Sequence, residues 1–508
     1  MYVNKKTKVL AALPDNATRE TEEKSHEIRS EFQRDRDRIL YSRAFRRLNG
    51  KTQVFLSVKD DHVRNRLTHT LEVNQIAQTI SKALGLNMEL TEAIALGHDL
   101  GHTPFGHVGE RTLNHIMNGC YKIADFNINI HEKGKGFKHN FQGVRVAREL
   151  EENQLNLTNE VLWGILNHSK LRYSGCKKDE YVECSLKHSA FKSGIDCNNE
   201  PKYEYNLSFY DKIIEDIDAA KYWTIEALVV GIADEIAQRH HDIEDAIEFN
   251  ILAIDNLIDE IDNRFKYVFR SQDKDLVKQI RNASENKYQA IGLFSKLIVN
   301  FLTTNLIEHT EKNLEKFIKD NEISENNTFY NIKEAKYSEK VIKNLVCFSS
   351  DVEKIDEGLQ KFLRNRILNS FEAQRMDGSG QYVIRKLFEA YIHNPQQLPD
   401  KTIKTLYKTL YNNIKENEEV KHENKYIVDN KIEKILDYKN YKENKNNVGK
   451  IREMISRLHY QVDSSIESKY NLYNDTLLRV ICDYIAGMTD KYALEQHKSL
   501  YNCGNFIF

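Results

Sequence analysis

The sequence predicts an all-α fold, on three observations. Breakers are scarce, with 21 Gly and 5 Pro in 508 residues, too few for a turn-dense β architecture. Apolar residues recur at helical spacing along most of the chain. Helix stop signals fall where that periodicity breaks, as at Gly85 and in the NPQQLPD segment at 394–400.

Residues 1–30 are polar and read as irregular. From Glu31 the charges alternate as RDRDR into ILYSRAFRRL, a helix with an exposed basic face whose charges read as solvated. In Arg66–Leu86, Leu67, Leu71, Ile76, Ile80 and Leu84 form an apolar stripe that stops at Gly85. LTEAIALGHDLGH starts at Thr91 as an N-cap and runs apolar to His98; PFGHVGERTLNHI reads as a loop feeding a short helix. FQGVRVARELE, LTNEVLWGILNH and TIEALVVGIADEIAQRHHDIEDAIEFNILAI are helical. A polar insertion at about 170–210 carries Cys176, Cys184 and Cys197 without zinc-ribbon spacing. Residues 250–400 read as successive helices. The Lys/Asn/Glu-rich stretch at about 412–450 reads as a solvated excursion, and TLLRVICDYIAGMTDKYALEQHKSLY packs back as helix. The partition is an N-terminal segment (1–30), a core (31–255) and a helical C-terminal region (256–508) that completes the site.

Composition narrows the function classes. With 74 Lys+Arg against 76 Asp+Glu the net charge is -2, which gives no global reason to bind nucleic acid. Seven scattered Cys fit reduced thiols in a cytoplasmic protein. No run of about 18 apolar residues is seen, so no membrane span is expected.

Histidine placement is uneven. His98, Asp99, His102 and His107 fall within ten residues among glycines, and imidazole with carboxylate is a ligand set for a divalent metal. On a helix, neighbours diverge by about 100°, so one ion can take both His98 and Asp99 only near a helix end, with further ligands from elsewhere. His69, on an apolar-faced helix, and Asp234, after the run ALVVGIA, are the candidates, because an unpaired carboxylate there is costly. His107 and Glu110 are three apart, one helical turn, so the carboxylate can orient the imidazole. Arg66 stands one turn before His69.

The order His69, His98–Asp99, Asp234 resembles the signature of HD-domain metal phosphohydrolases. AFRRLNGKTQVF (44–55), RNRLTHTLEV (64–73), GHDLGHTPFGHVGE (97–110), FKHNFQGVR (137–145), ADEIAQRHHDIEDAI (233–247) and DYIAGMTDKYA (483–493) resemble its dGTPase branch, longer bacterial type. The resemblance implies an HD-domain helical bundle with a helical C-terminal extension. It implies hydrolysis of dGTP to deoxyguanosine and tripolyphosphate at one divalent ion, Mn2+ or Mg2+ first, with Fe2+, Co2+ or Ni2+ also open. His69, His98, Asp99 and Asp234 would hold the ion. His107 would be the general acid/base with Glu110 as orienter, and His102 would contact phosphate beside them.

Arg66 matches an arginine that the related SAM-and-HD-domain triphosphohydrolase uses on phosphate; His139, with Asn140 beside it, is a second phosphate candidate. Gln53 and the Val54 backbone match the base-reading KTQV segment. Asp242 matches an acidic residue near the 3′-hydroxyl, or caps HDIEDAI. Where longer dGTPases have a sugar-packing Tyr, this chain has Gln238, which leaves room for a broad-specificity dNTPase. An HD phosphohydrolase for a cyclic nucleotide or alarmone, and a nucleic-acid-binding regulator, are rival readings of the same residues. Relatives form homo-oligomers, often hexamers, and some respond to single-stranded DNA, for which basic residues between Arg34 and Lys59 are candidates.

Overall fold

The computed structural model describes residues 6–53, 64–121, 130, 134–169, 207–324, 327–419, 442, 444–463 and 472–501. The insertion expected at 170–210, with its three cysteines, lies outside them up to residue 206. So do Val54, Phe55, Lys59 and residues 420–441 of the charged excursion. Among the described residues every regular element is a helix, and the bridges Arg19–Thr158 and Thr52–Asn65 are isolated.

In chain order the helices are α1 (Glu31–Tyr41), α2 (Arg43–Arg47), α3 (Arg66–Leu84), α4 (Met88–Gly97), α5 (Gly106–Met117), α6 (His139–Arg145) and α7 (Asn159–Asn167). They continue as α8 (Asp211–Asp216), α9 (Ala219–Tyr222), α10 (Ile225–Glu248), α11 (Ile254–Phe265), α12 (Ser271–Asn282), α13 (Lys287–Asp320) and α14 (Phe329–Ile332). The last are α15 (Glu339–Leu345), α16 (Ser350–Leu368), α17 (Phe371–His393), α18 (Asp400–Glu419), α19 (Val448–Asp463), α20 (Leu472–Ala486) and α21 (Asp490–Tyr501).

Two compact units form, each from three stretches of chain. The first takes Met1–Gly101, Asn140–Leu171 and Ile213–Asp377; the second takes His102–His139, Arg172–Lys212 and Gly378–Phe508.

Local sequence sets the helix ends of the first unit. Ser30 and Gln33 close a capping box on α1. Asn65 accepts from Thr68 N to start α3, and Gly85 ends it at φ 70°, a left-handed position that glycine takes without strain. Helix α4 starts earlier than expected: Asn87 is the cap, accepting from Glu89 N and Leu90 N. Thr91, the expected cap, lies inside the helix and donates to Asn87 O.

Helix α10 packs on α3, α7, α13 and α16, and α4 packs on α1, α3 and α7. Buried Ile76, Ile80 and Leu84 of α3, Ile94 of α4, and Val229, Val230, Ala233 and Ile236 of α10 supply the core. Glycine permits the close approach at Gly231, where a Cβ would lie 2.6 Å from His168 O.

In the RDRDR run only Asp35 is fully buried; the side chains of Arg36, Asp37 and Arg38 stay partly exposed, in line with the charge pattern. Asp35 is fully buried against Arg19 Nη1 at 2.5 Å, and Arg36 and Arg38 bond to Glu92, Asp37, Glu23 and the carbonyls of Leu155 and Asn156. Helix α13 is long and apolar enough to cross a membrane by length and composition, contrary to the expectation of no such stretch, with half of its apolar window buried. It packs on α10, α12 and α15.

In the second unit α20 packs on α5 and α18, and α18 on α19. Asp490 Oδ1 accepts from Phe105 N at 2.8 Å, which ties α21 to the turn before α5. That turn is tight, with Phe105 at φ 60° and Gly106 at φ 59°. Helix α5 therefore begins at Gly106, and the expected loop shrinks to the residues before it.

Candidate metal centre and histidine cluster

In the first unit α3, the end of α4, and α10 bring His69, His98 and Asp234 together, with one donor atom of each within 4.8 Å of the others. His98 is the C-cap just after α4 and Asp99 follows it, the helix-end placement expected. His98 Nδ1 donates to Ala95 O at 2.7 Å. That bond fixes the tautomer and leaves the Nε2 lone pair facing Asp99 Oδ1 at 3.5 Å and Asp234 Oδ1 at 3.9 Å. Nε2 is fully buried and has no hydrogen-bond partner. A lone pair buried among carboxylate oxygens repels them unless a cation sits between, so these residues fit a divalent ion.

His69 Nε2 lies 2.9 Å from Asp234 Oδ1. Burial works to raise the Asp234 carboxyl, but His69, then His98 and His168, hold it well below the usual range. Asp99 stands beside this trio, with Oδ2 accepting from Arg66 Nη1 at 2.7 Å. Arg66 is buried and its Nε and Nη2 have no partner, so two N–H directions of a fixed cation stay open.

Sequence reasoning missed His168. It caps α7, donates from Nδ1 to Ile165 O at 2.8 Å, and sets its ring 5.1 Å from that of His98. The signal was there: His168, like His98, follows an apolar helix and turns Nδ1 back to the carbonyl three residues earlier.

Gln53 Nε2 donates to Gln238 Oε1 at 3.1 Å, and Gln238 Nε2 donates to Asp242 Oδ1 at 2.8 Å. The carboxylate can only accept, so it sets the polarity of both amides and leaves Gln53 Oε1 as a buried acceptor without a partner. Burial pushes the Asp242 carboxyl up to about 6. Asp242 is thus a member of this chain and not a helix cap.

In the second unit His102 stacks on His139, with ring centroids 3.8 Å apart, and meets His107 edge-on at 5.7 Å. Glu110 is buried. It accepts from His139 N at 3.2 Å, and its oxygens also bond to His139 Nδ1 and Lys138 Nζ. Burial opposes ionisation, yet His139, Lys138 and His102 hold the Glu110 carboxyl well below the usual range.

Glu110, expected to orient His107, is in bonding contact with His139 and Lys138. His107 sits on the exposed side of α5. Asn140, expected on substrate, is fully buried in the first unit. It donates to Leu166 O at 3.0 Å and Ser169 Oγ at 2.8 Å, which joins α6 to the end of α7.

The HD domain family matches residues 66–223, which hold His69, His98, Asp99 and His168 and stop short of Asp234. The phosphohydrolase-associated domain matches 346–430 and 418–499. A deoxyguanosinetriphosphate triphosphohydrolase-like protein of Geobacter sulfurreducens is 31% identical over 494 residues, covering 94% of this chain and 90% of the relative. One from Pelagibacter ubique is 34% identical over 375 residues, 73% and 84% of the two chains. The chain belongs to the deoxyguanosinetriphosphate triphosphohydrolase-like family.

A third such protein, from Caldanaerobacter subterraneus, is 44% identical over 241 residues, 47% of this chain and 52% of the relative. HD domains bind divalent metal ions, and the orphaned His98 Nε2 gives that family property a place in this chain.

Proposed function

We propose that the chain is a deoxynucleoside triphosphate triphosphohydrolase that prefers dGTP and releases deoxyguanosine and tripolyphosphate. The observation that carries this reading is Arg66, a buried guanidinium with Nε and Nη2 unpartnered, next to a His/Asp set that needs a cation. A buried cation with open donors beside a metal set suits a phosphate oxygen better than a neutral substrate.

His69, His98 and Asp234, with Asp99 adjacent, would hold the ion, with Mn2+ or Mg2+ as the proposed metals. Bound there, it would supply Lewis-acid polarisation of the α-phosphate and acidify a water. Arg66 binds and orients the phosphate chain. Water adds to the α-phosphorus as the bond to the 5′-oxygen breaks, and that oxygen must receive a proton. His107 is the proposed proton donor to it, and His139, held by Glu110, the proposed base. Gln53 Oε1, kept as an acceptor, suits the N1–H and exocyclic amine of guanine.

Gln238 favours a second reading, a broader dNTPase, because an amide spent on Gln53 and Asp242 offers no ring to the sugar. Incubation of the full chain with each dNTP and Mn2+, followed by chromatography, tests both. Deoxyguanosine with tripolyphosphate supports the first, and equal turnover of all four dNTPs supports the second. Orthophosphate or a nucleoside monophosphate as product overturns both.

A further inference from the structure

His69 is held at both ring nitrogens by α10. Asp234 and His241 are seven residues apart, two turns, and so share a face of that helix. Nε2 of His69 faces Asp234 Oδ1, and Nδ1 lies 3.3 Å from His241 Nδ1. Behind His241 stands Glu72, one turn along α3 from His69. Its Oε2 contacts His241 Nε2 and lies 3.0 Å from His240 Nε2, while Arg64 Nε lies 3.0 Å from Oε1. His69 and His241 are both 1% exposed, so their mutual contact is shielded from water, while the Glu72 and Asp234 side chains are 32% and 24% exposed.

The geometry points to Glu72 and His241 as positioning residues that fix the tautomer of His69 and so hold its Nε2 lone pair on the metal. This rests on the metal-centre reading above.

The proton order follows from charge. Glu72, paired with Arg64, can only accept, so His241 Nε2 carries a proton and donates to it. A neutral His241 then has an acceptor at Nδ1, and His69 Nδ1–H donates there. His69 Nε2 is left with its lone pair toward Asp234. The reverse order would set an unprotonated His241 Nε2 against a carboxylate oxygen with no ion between them, whereas the lone pair of His69 Nε2, 2.9 Å from Asp234 Oδ1, is offset by the ion proposed there. A carboxylate behind a metal-ligating imidazole fixes ring orientation and raises basicity; here a second imidazole is interposed. The trio Glu72, His240 and His241 also has ligand spacing of its own. Arg64, however, already bridges Glu72 and Glu244, and a guanidinium there opposes a second cation.

The test is Mn2+ titration of metal-stripped full chain by calorimetry, with circular dichroism to check folding. His241→Leu should weaken Mn2+ binding about 10–100-fold. His241→Asn, whose Oδ1 can accept from His69 Nδ1, should recover most of that loss. Glu72→Gln, nearly isosteric, should weaken binding less than His241→Leu and carries the test if the leucine variant fails to fold. Unchanged affinity in folded His241→Leu, or in Glu72→Gln, overturns the relay while the metal centre stands. A wild-type chain that binds no Mn2+ overturns both. Two ions per chain, one lost in Glu72→Gln, overturns the relay in favour of a second cation site.

Discussion

Asp99 shares its charge between the metal set and Arg66, so its removal should fail in two ways at once. Asp99→Ala is expected to lose bound metal, measured by mass spectrometry, and to cost about 3–5 kcal/mol by leaving a buried guanidinium unpaired. Denaturant melts check the second effect. Glu110→Gln separates the chemistry from the metal: turnover should fall about 10²–10⁴-fold with metal content unchanged, since only the orientation of His139 is lost. Equal turnover in the two proteins would remove Glu110 from the reaction. Much of this residue pattern was legible. His69, His98, Asp99 and Asp234 could be picked out because carboxylates and imidazoles on apolar helices need compensation. The partner of Glu110 was not legible. Helical spacing pairs residues one turn apart, whereas His139 arrives from 29 residues along the chain.

Helices are held at their ends and crossings by groups that burial forces off their usual titration. Glu160, in the first turn of α7, is buried and its carboxyl is pushed up to about 7 from 4.5, by burial first, against backbone bonds from its own amide and Thr18. Between those values the folded chain keeps a proton that the unfolded chain has lost. Stability therefore falls as pH rises through that window and levels above about 7. Glu160→Gln should remove that slope and raise stability at pH 8 by on the order of 2–3 kcal/mol. Melting curves from pH 5 to 8 check this, and parallel curves for the two proteins would refute it.

At the crossing of α7 and α10, Gly231→Ala drives a Cβ toward His168 O, a backbone atom that cannot rotate away. A loss of about 1–3 kcal/mol is expected, together with weaker Mn2+ binding as His168 shifts from His98. Helix existence was readable from periodicity, but the cap of α4 was not. Asn87 precedes the apolar run by a turn, and Thr91 offers the same chemistry nearer to it.

For the molecule as a whole, a ligand that binds only the folded chain stabilises it by mass action. At 100 times its Kd, Mn2+ should add about 2.7 kcal/mol of stability. His69→Ala should show no Mn2+-dependent rise in Tm, which scanning fluorimetry reads directly. All-α architecture followed from scarce breakers and caps. The division into units did not, because contact between stretches hundreds of residues apart leaves no periodic trace. Each unit is assembled from three separate stretches. During synthesis, then, His102–His139 leaves the ribosome long before Gly378–Phe508 exists to complete its unit. A chain stalled or truncated before residue 378 would expose that histidine-bearing segment to chaperones and proteases.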